Sequence, residues 1–254
     1  MKIKEIAQVI FDWNPTEHPC PSDKIVFGDE NADAKKVAVC CIVTCDVVKK
    51  AKEWGADLII THEPTYPNYK GYEENDPVAQ GKKKLIEDAG IPIYRFHDST
   101  HFSDPDRIIE GVLKKLEWRG SHDGHHSFVF DRAKSVDEIK SDIEEKLELK
   151  HIRICGTKDN TVKKISMCVG AWGDETVHSE IVQPDTDAII CGEITEWRSC
   201  EYVRDAAQLG MKKTMFLLGH MGSEREGMKF VCDYLTQTLP ELEYLYIDCG
   251  EVYS

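Results

Sequence analysis

Hydrophobic and polar positions along the chain alternate between short buried strands and amphipathic helices. Residues 37–43 are continuously apolar, which is typical of a strand covered on both faces. Apolar residues at helical spacing follow in 46–54, and Gly55 ends that predicted helix. Residues 57–60 form a second apolar run. This order predicts a β-α-β unit.

The same alternation continues to the end of the chain. The pattern predicts strands at 91–96, 165–169, 188–191 and 214–218, and helices at 77–89, 197–209 and 224–235. Residues 120–164 are predicted to form a hairpin and a helix, with Ser135 and Glu138 as its capping box. The predicted class is therefore α/β, with mainly parallel β-α-β units and helices on the faces of the sheet.

Two pairs of segments indicate approximate internal repetition. Residues 57–63 align with 187–193, and residues 94–101 align with 217–224, where both copies read His-x-x-x-ligand. We therefore expect two associated α/β domains. Our predicted limits are 1–119 plus 241–254 for the first domain and 120–240 for the second.

Composition narrows the class of protein. Hydrophobic residues make up 41% of the 254 positions, enough for a core without covalent staples. Five of the ten cysteines lie in apolar runs and no C-x-x-C pair occurs, which predicts buried free thiols in a reducing compartment. These are Cys40, Cys41, Cys168, Cys191 and Cys232.

The N-terminus predicts an amphipathic helix and no cleaved leader, so we expect a cytoplasmic protein without a membrane span. The net charge of −14 argues against nucleic-acid partners.

Three predicted strand ends carry side chains of the types that bind metals. His62 and Glu63 follow one strand, His101 lies just beyond another, and His220 and Glu224 follow a third. The carboxyl ends of parallel strands meet at one edge of a sheet, where α/β proteins place their sites. Each side chain alone could be an ordinary structural residue, but their joint occurrence predicts a metal site.

The spacing of these side chains suggests more than one ion. Adjacent residues leaving a strand point to different sides, so His62 and Glu63 could address two neighbouring ions. We expect a turn to separate His220 from Glu224, and the carboxylate of Glu224 could bridge two cations. Histidine and carboxylate ligands suit zinc, manganese, iron or other first-row divalent ions, and the sequence does not choose among them.

The stretches GADLIITHEP, HDSTH, CGEITEW and GHMGSEREG, in that order, resemble the NIF-three-like family, whose members are often called GTP cyclohydrolase I type 2 homologues. The resemblance covers nearly the whole chain, which looks like the short form without a large inserted domain. It implies two α/β domains, a dinuclear metal centre in the cleft between them, and assembly into hexameric rings.

Carried over by position, the resemblance assigns His62 and His220 to one metal, with Glu224 bridging both ions. For the second metal the family has a histidine directly after the first motif histidine, where this chain has Glu63. It also has an aspartate where this chain has His101. One histidine and one carboxylate are still offered, so we expect the centre to survive with altered geometry.

His97 is expected near the metals, either orienting a ligand or moving protons. The leading hypothesis is a hydrolase that uses two divalent ions on a small nucleotide-like or amide- or phosphate-bearing substrate. The alternative is a non-catalytic metal-binding or adaptor protein in which the ions are structural.

Overall fold

The structure is a computed structural model that describes residues 1–66 and 74–253. These residues form two compact units. The first unit comprises Met1–Arg107 and Met228–Gly250, and the second comprises Ile108–Gly227 and the chain from Glu251 onward. The limits predicted above, 1–119 plus 241–254 and 120–240, stay a prediction about where independent domains begin and end.

Helices and strands alternate along the described chain. In order, the first half contains α1 (Ile3–Trp13), β1 (Lys24–Phe27), β2 (Lys36–Cys40), α2 (Cys45–Trp54), β3 (Leu58–Thr61), α3 (Pro77–Ala89), β4 (Ile93–Arg95), α4 (Asp98–Phe102) and α5 (Arg107–Leu116). The second half contains β5 (Gly120–His122), β6 (Ser127–Ser135), α6 (Val136–Lys146), β7 (Arg153–Gly156), β8 (Thr161–Cys168), α7 (Asp174–Ile181), β9 (Ala188–Cys191), a π-helix (Glu196–Cys200), α8 (Glu201–Gln208), β10 (Thr214–Leu217), α9 (His220–Thr238) and β11 (Glu243–Tyr246).

The described residues of each unit form one sheet. In the first unit the strand order is β1-β4-β3-β2-β11, with every pair parallel except β1 with β4. In the second unit the order is β5-β6-β8-β9-β10-β7, with β8, β9 and β10 parallel and the outer pairs antiparallel. The predicted α/β class with mainly parallel β-α-β units is confirmed.

Both units share a common plan. Three consecutive parallel strands, β2-β3-β4 in the first sheet and β8-β9-β10 in the second, lie side by side with a helix in each connection. In both sheets the third of these strands also pairs with an antiparallel strand, β1 or β7. The two pairs of aligned sequence segments therefore fall on equivalent strands, β3 with β9 and β4 with β10.

Local sequence explains where the helices begin and end. Thr44 caps α2 by accepting a hydrogen bond from the Val47 amide at 3.2 Å, and Gly55 ends it in a left-handed conformation at φ 79°. Ser135 and Glu138 form the predicted capping box of α6. The five cysteines predicted to be buried are buried, and within the described residues none of them forms a disulfide.

Two of the stretches that differ from the sequence prediction carry candidate ligands. His97-Asp-Ser-Thr-His101, expected as a strand end, enters the short helix α4. Helix α9 begins at His220 instead of residue 224, because Gly219 turns the chain at φ 80° and its carbonyl accepts the Ser223 amide at 3.0 Å. Among the described helices, none is long and apolar enough to cross a membrane.

Candidate metal centre

The carboxyl ends of β3 and β4 bring the first group of predicted ligands together. Thr61 pairs with Arg95 in the parallel ladder, and the Phe96 amide donates to the Thr61 carbonyl at 2.8 Å. His62 and His97 therefore emerge from neighbouring strands at the same edge. Helix α4 then places His101 one turn beyond His97.

The imidazole of His62 is fully buried and its protonation is set by its neighbours. Its Nδ1 lies 3.0 Å from the Phe96 carbonyl, which can only accept, so Nδ1 carries the proton. Nε2 is then the ring atom that can bind a cation. That atom lies 3.1 Å from Nε2 of His101.

Carboxylates orient the other two histidines of this group in the same way. His101 Nδ1 donates to Asp106 Oδ2 at 2.8 Å, and His97 Nδ1 donates to Asp98 Oδ1 at 2.8 Å. Metal-binding histidines commonly have such a partner on the second ring nitrogen, because it fixes the tautomer and the ring orientation. All three histidines thus have Nε2 available for a cation.

Glu63 joins this group through a bend in the chain. Its Oε1 lies 4.0 Å from Nε2 of His62 and 3.7 Å from Nε2 of His97. Strand alternation predicts opposite sides for His62 and Glu63, but both amides donate to the carbonyl of Cys41, at 3.0 and 2.8 Å. The chain therefore curls as it leaves β3, and the two side chains converge.

Asp23 holds the start of α4 in place. Its carboxylate accepts hydrogen bonds from the amides of His97, Asp98 and Ser99 at 2.8, 2.6 and 3.1 Å, and from the Ser99 hydroxyl. Asp98 in turn accepts from the Ser22 amide at 2.8 Å. Sequence reasoning missed Asp23, Asp98 and Asp106, and only the His-Asp adjacency at 97 and 98 offered a signal.

Burial, followed by the neighbouring His62 and His101 rings, lowers the pKa of His97 from its ordinary value of 6.5 to about 4. The His97 ring is therefore neutral at pH 7. A neutral ring can bind a cation or accept a proton.

These residues fit a divalent ion. His62, His97 and His101 each offer a ligand atom, and the three atoms lie within 4.8 Å of one another. Two unprotonated nitrogens 3.1 Å apart repel each other unless a proton or a cation lies beside them. Tetrahedral bonds of about 2.1 Å to one ion would separate two ligands by about 3.4 Å, close to this spacing. We name His62, Glu63, His97 and His101 the first-unit cluster.

In the second unit, His220 and Glu224 share one face of α9, one turn apart. His220 Nδ1 donates to Glu193 Oε1 at 2.8 Å, and its Nε2 lies 3.3 Å from Glu224 Oε2. The predicted turn between these two residues is wrong, because the helix begins at His220 itself. Residues i and i+4 meet on a helix, so both approach from the same direction.

The absence of a side chain at Gly170 leaves room for Glu224 beside the closely packed backbone. Gly170 follows β8 with φ 66°, and a Cβ there would lie 2.0 Å from Glu224 Oε1. A Cβ on Gly192 would lie 2.5 Å from the Gly170 carbonyl. The position of this carboxylate therefore requires Gly170, and the close approach of the Gly170 backbone requires Gly192.

Thus His62, Glu63 and His101 lie together in the first unit with His97, and His220 lies with Glu224 in the second. Their roles as metal ligands, and the role of His97 in catalysis, stay predictions.

Comparison with known proteins agrees with the fold. A relative named GTP cyclohydrolase 1 type 2 homolog, from Clostridium perfringens (strain 13 / Type A), is 26% identical over 236 residues, covering 88% of this chain and 87% of the relative. The structure of reduced HcgD from Methanocaldococcus jannaschii has a TM-score of 0.74 at 19% identity and covers 97% of both chains. Protein SA1388 from Staphylococcus aureus has a TM-score of 0.78 at 16% identity, covering 100% of this chain and 98% of that one.

These two structures show the fold alone, since their identity to this chain is low. The family model for Duf34/NIF3 (NGG1p interacting factor 3) matches residues 1–251. This match covers nearly the whole chain and confirms the resemblance inferred from the strand-end motifs. The chain belongs to the Duf34/NIF3 family.

Proposed function

We propose that the chain binds two divalent metal ions and uses them as a hydrolase on a small substrate. The ligands are His62, Glu63 and His101 in the first unit and His220 and Glu224 in the second. The observation that carries this proposal is the hydrogen bonding of His62, His101 and His220. Each uses Nδ1 as a donor to a neighbouring acceptor, which turns Nε2 toward the place where a cation would bind.

The chemistry assigned to the ions is Lewis acidity, which polarises a carbonyl or phosphoryl oxygen and lowers the pKa of water. The side chains of the chain would hold the ions and orient the substrate beside them. Burial of His62 and Glu63 removes competing bulk water and strengthens their electrostatic interactions. His97, whose Nε2 lies 3.7 Å from Glu63 Oε1, is the candidate acceptor for a proton released in hydrolysis.

The substrate class is a small molecule that is nucleotide-like or carries an amide or a phosphate. Support comes from the name GTP cyclohydrolase 1 type 2 homolog, which the relatives carry. We also propose a cytoplasmic homo-hexamer without nucleic-acid partners, on the strength of the family resemblance and the net charge of −14.

Metal analysis of protein purified without chelators tests the binding step. We expect about two divalent ions per chain, identified by mass spectrometry of the elements, and a loss of metal in Glu224→Gln and His62→Gln. The matched control for Glu224 is Glu226→Gln, which changes another buried carboxylate of α9. Fewer than about one ion per chain in the unmutated protein would reject the dinuclear proposal.

A substrate panel tests the catalytic step. Metal-loaded protein is incubated with nucleotides, phosphate esters and small amides, and product formation is compared with that of the Glu224→Gln variant. Turnover that disappears in the variant supports a hydrolase. If chelation unfolds the protein or dissociates its assembly and no substrate turns over, the ions are structural and the chain is a metal-binding or adaptor protein.

A further inference from the structure

A cavity of about 150 Å³ lies in the second unit beside His220. Strand β7 and the residues before it form one wall, the connection between β10 and α9 forms another, and residues 251–253 also line it. The metal-ligand predictions use His220 but no other part of this cavity.

Strand register explains why Arg153 lies at this cavity. Strand β7 is antiparallel to β10, and its first residue, Arg153, pairs with Leu217, the last residue of β10. The chain then passes through Leu218 and Gly219 to His220. A guanidinium group therefore reaches the same edge of the sheet as the candidate metal ligand.

Arg153 can contact a further anion. Its Nη1 pairs with Glu196, and across residues 1–66 and 74–253 its side chain makes no other polar contact. A guanidinium carries five N–H donors in a planar fork that suits carboxylate and phosphate oxygens. The nearby carboxylate of Glu193 already accepts the Nδ1 proton of His220.

The remaining surface of the cavity is largely apolar. Leu149, Leu217 and Leu218 line it, each no more than 5% exposed, together with Met221. A cavity of about 150 Å³ with aliphatic walls accommodates a molecule the size of benzene. The lining thus offers an apolar space one ring wide, a cationic group on β7 and His220 at the start of α9. Its other ionisable residues are Glu193, Glu251 and His151.

We propose that this cavity is the substrate subsite for a small organic anion. A carboxylate or phosphate of the ligand pairs with Arg153, and an apolar group the size of one aromatic ring occupies the space formed by Leu149, Leu217 and Met221. This arrangement places the ligand next to His220. The inference rests on the proposed function, because a ligand in this cavity is placed for reaction only if His220 holds a metal ion.

Calorimetric titration of the full-length, zinc-loaded protein tests the subsite with three probes. Phenyl phosphate and benzoate carry the two candidate anionic groups, and benzyl alcohol is the neutral probe of similar size. We expect Arg153→Gln to weaken binding of at least one anionic probe about tenfold and to leave benzyl alcohol unchanged. The matched control is Arg198→Gln, because Arg198 is also an exposed arginine paired with a glutamate, Glu175, and does not line the cavity.

A second variant tests the apolar space. Met221→Trp fills the cavity, so binding of all three probes should be lost while circular dichroism stays unchanged. The subsite is rejected if no probe binds, if Arg153→Gln and Arg198→Gln behave alike, or if folded Met221→Trp binds as tightly as the unmutated protein.

Metal content of the same samples separates the two proposals. Protein that binds zinc but none of the probes rejects the subsite and leaves the metal proposal intact. Protein that fails to bind zinc yet binds an anionic probe through Arg153 rejects the proposed function and supports the anion site.

Discussion

The Nε2 atoms of His62 and His101 lie 3.1 Å apart, and each ring has its Nδ1 proton committed to another acceptor. Nitrogens this close in the buried part of the first unit share either a proton or a cation. A divalent ion that displaces the proton would bond to both rings and add to the stability of the folded state. The stability of the protein should consequently depend on metal.

The first prediction concerns His101. Zinc at about 100 times its dissociation constant should stabilise the unmutated protein by about 2.7 kcal/mol, and His101→Gln should lose most of that gain. Urea unfolding with and without zinc measures the gain in each protein. His125→Gln, which changes an exposed histidine, is the control, and equal zinc stabilisation in both variants would contradict the assignment.

The second prediction concerns Asp106. Its Oδ2 accepts the Nδ1 proton of His101, so Asp106→Asn should loosen the ring and lower zinc affinity about 10- to 100-fold. Competition with a chromophoric chelator gives the affinity. Asp88→Asn should leave it unchanged, because Asp88 is exposed and pairs with Lys84. An unaltered affinity in Asp106→Asn would show that His101 is not a ligand.

The third prediction concerns Asp23, which accepts three backbone amides at the start of α4. Asp23→Asn should lower the free energy of unfolding in EDTA by about 1–3 kcal/mol, because buried donors lose a charged acceptor. Urea denaturation measures the change. Asp33→Asn, at an exposed ion pair with Lys2, should change it by less than about 0.5 kcal/mol.

The fourth prediction concerns Gly170. Alanine would place a Cβ 2.0 Å from Glu224 Oε1 and would also require φ 66°, so Gly170→Ala should lose at least about 1 kcal/mol of stability and reduce zinc binding. Gly173→Ala separates the two causes, because Gly173 also has a positive φ, 80°, but nothing lies within 4 Å of its Cβ. Only the first variant should lose zinc.

The fifth prediction concerns pH. The Arg132 guanidinium, followed by the Ser135 amide, lowers the pKa of Glu138 from 4.5 to about 2. A carboxyl whose pKa is lowered on folding stabilises the protein above its unfolded pKa, and that contribution is lost as pH falls from about 4.5 to about 2. Glu138→Gln should therefore show a shallower loss of stability over this interval than the unmutated protein. Glu145→Gln on the same helix is the control, and parallel pH profiles for all three proteins would contradict the prediction.

Local sequence determined much of the fold. The strand at 188–191 and the helix at 77–89 match the structure because apolar periodicity, an N-cap and a terminal glycine are encoded within a few residues. The capping box of Ser135 and Glu138 is another such case. The strand-end histidines and carboxylates were visible for the same reason, since parallel strands align their carboxyl ends.

Tertiary structure alone decided how those side chains are held. Asp23 reaches His97 across 74 positions, and Asp106 orients His101 only because α4 turns the chain back. The convergence of Glu63 on His62 depends on the carbonyl of Cys41, contributed by the neighbouring strand connection. The sequence determined which ligand types stand at the strand ends, whereas their tautomers and separations were decided by long-range hydrogen bonds, which leave no periodic pattern in a single chain.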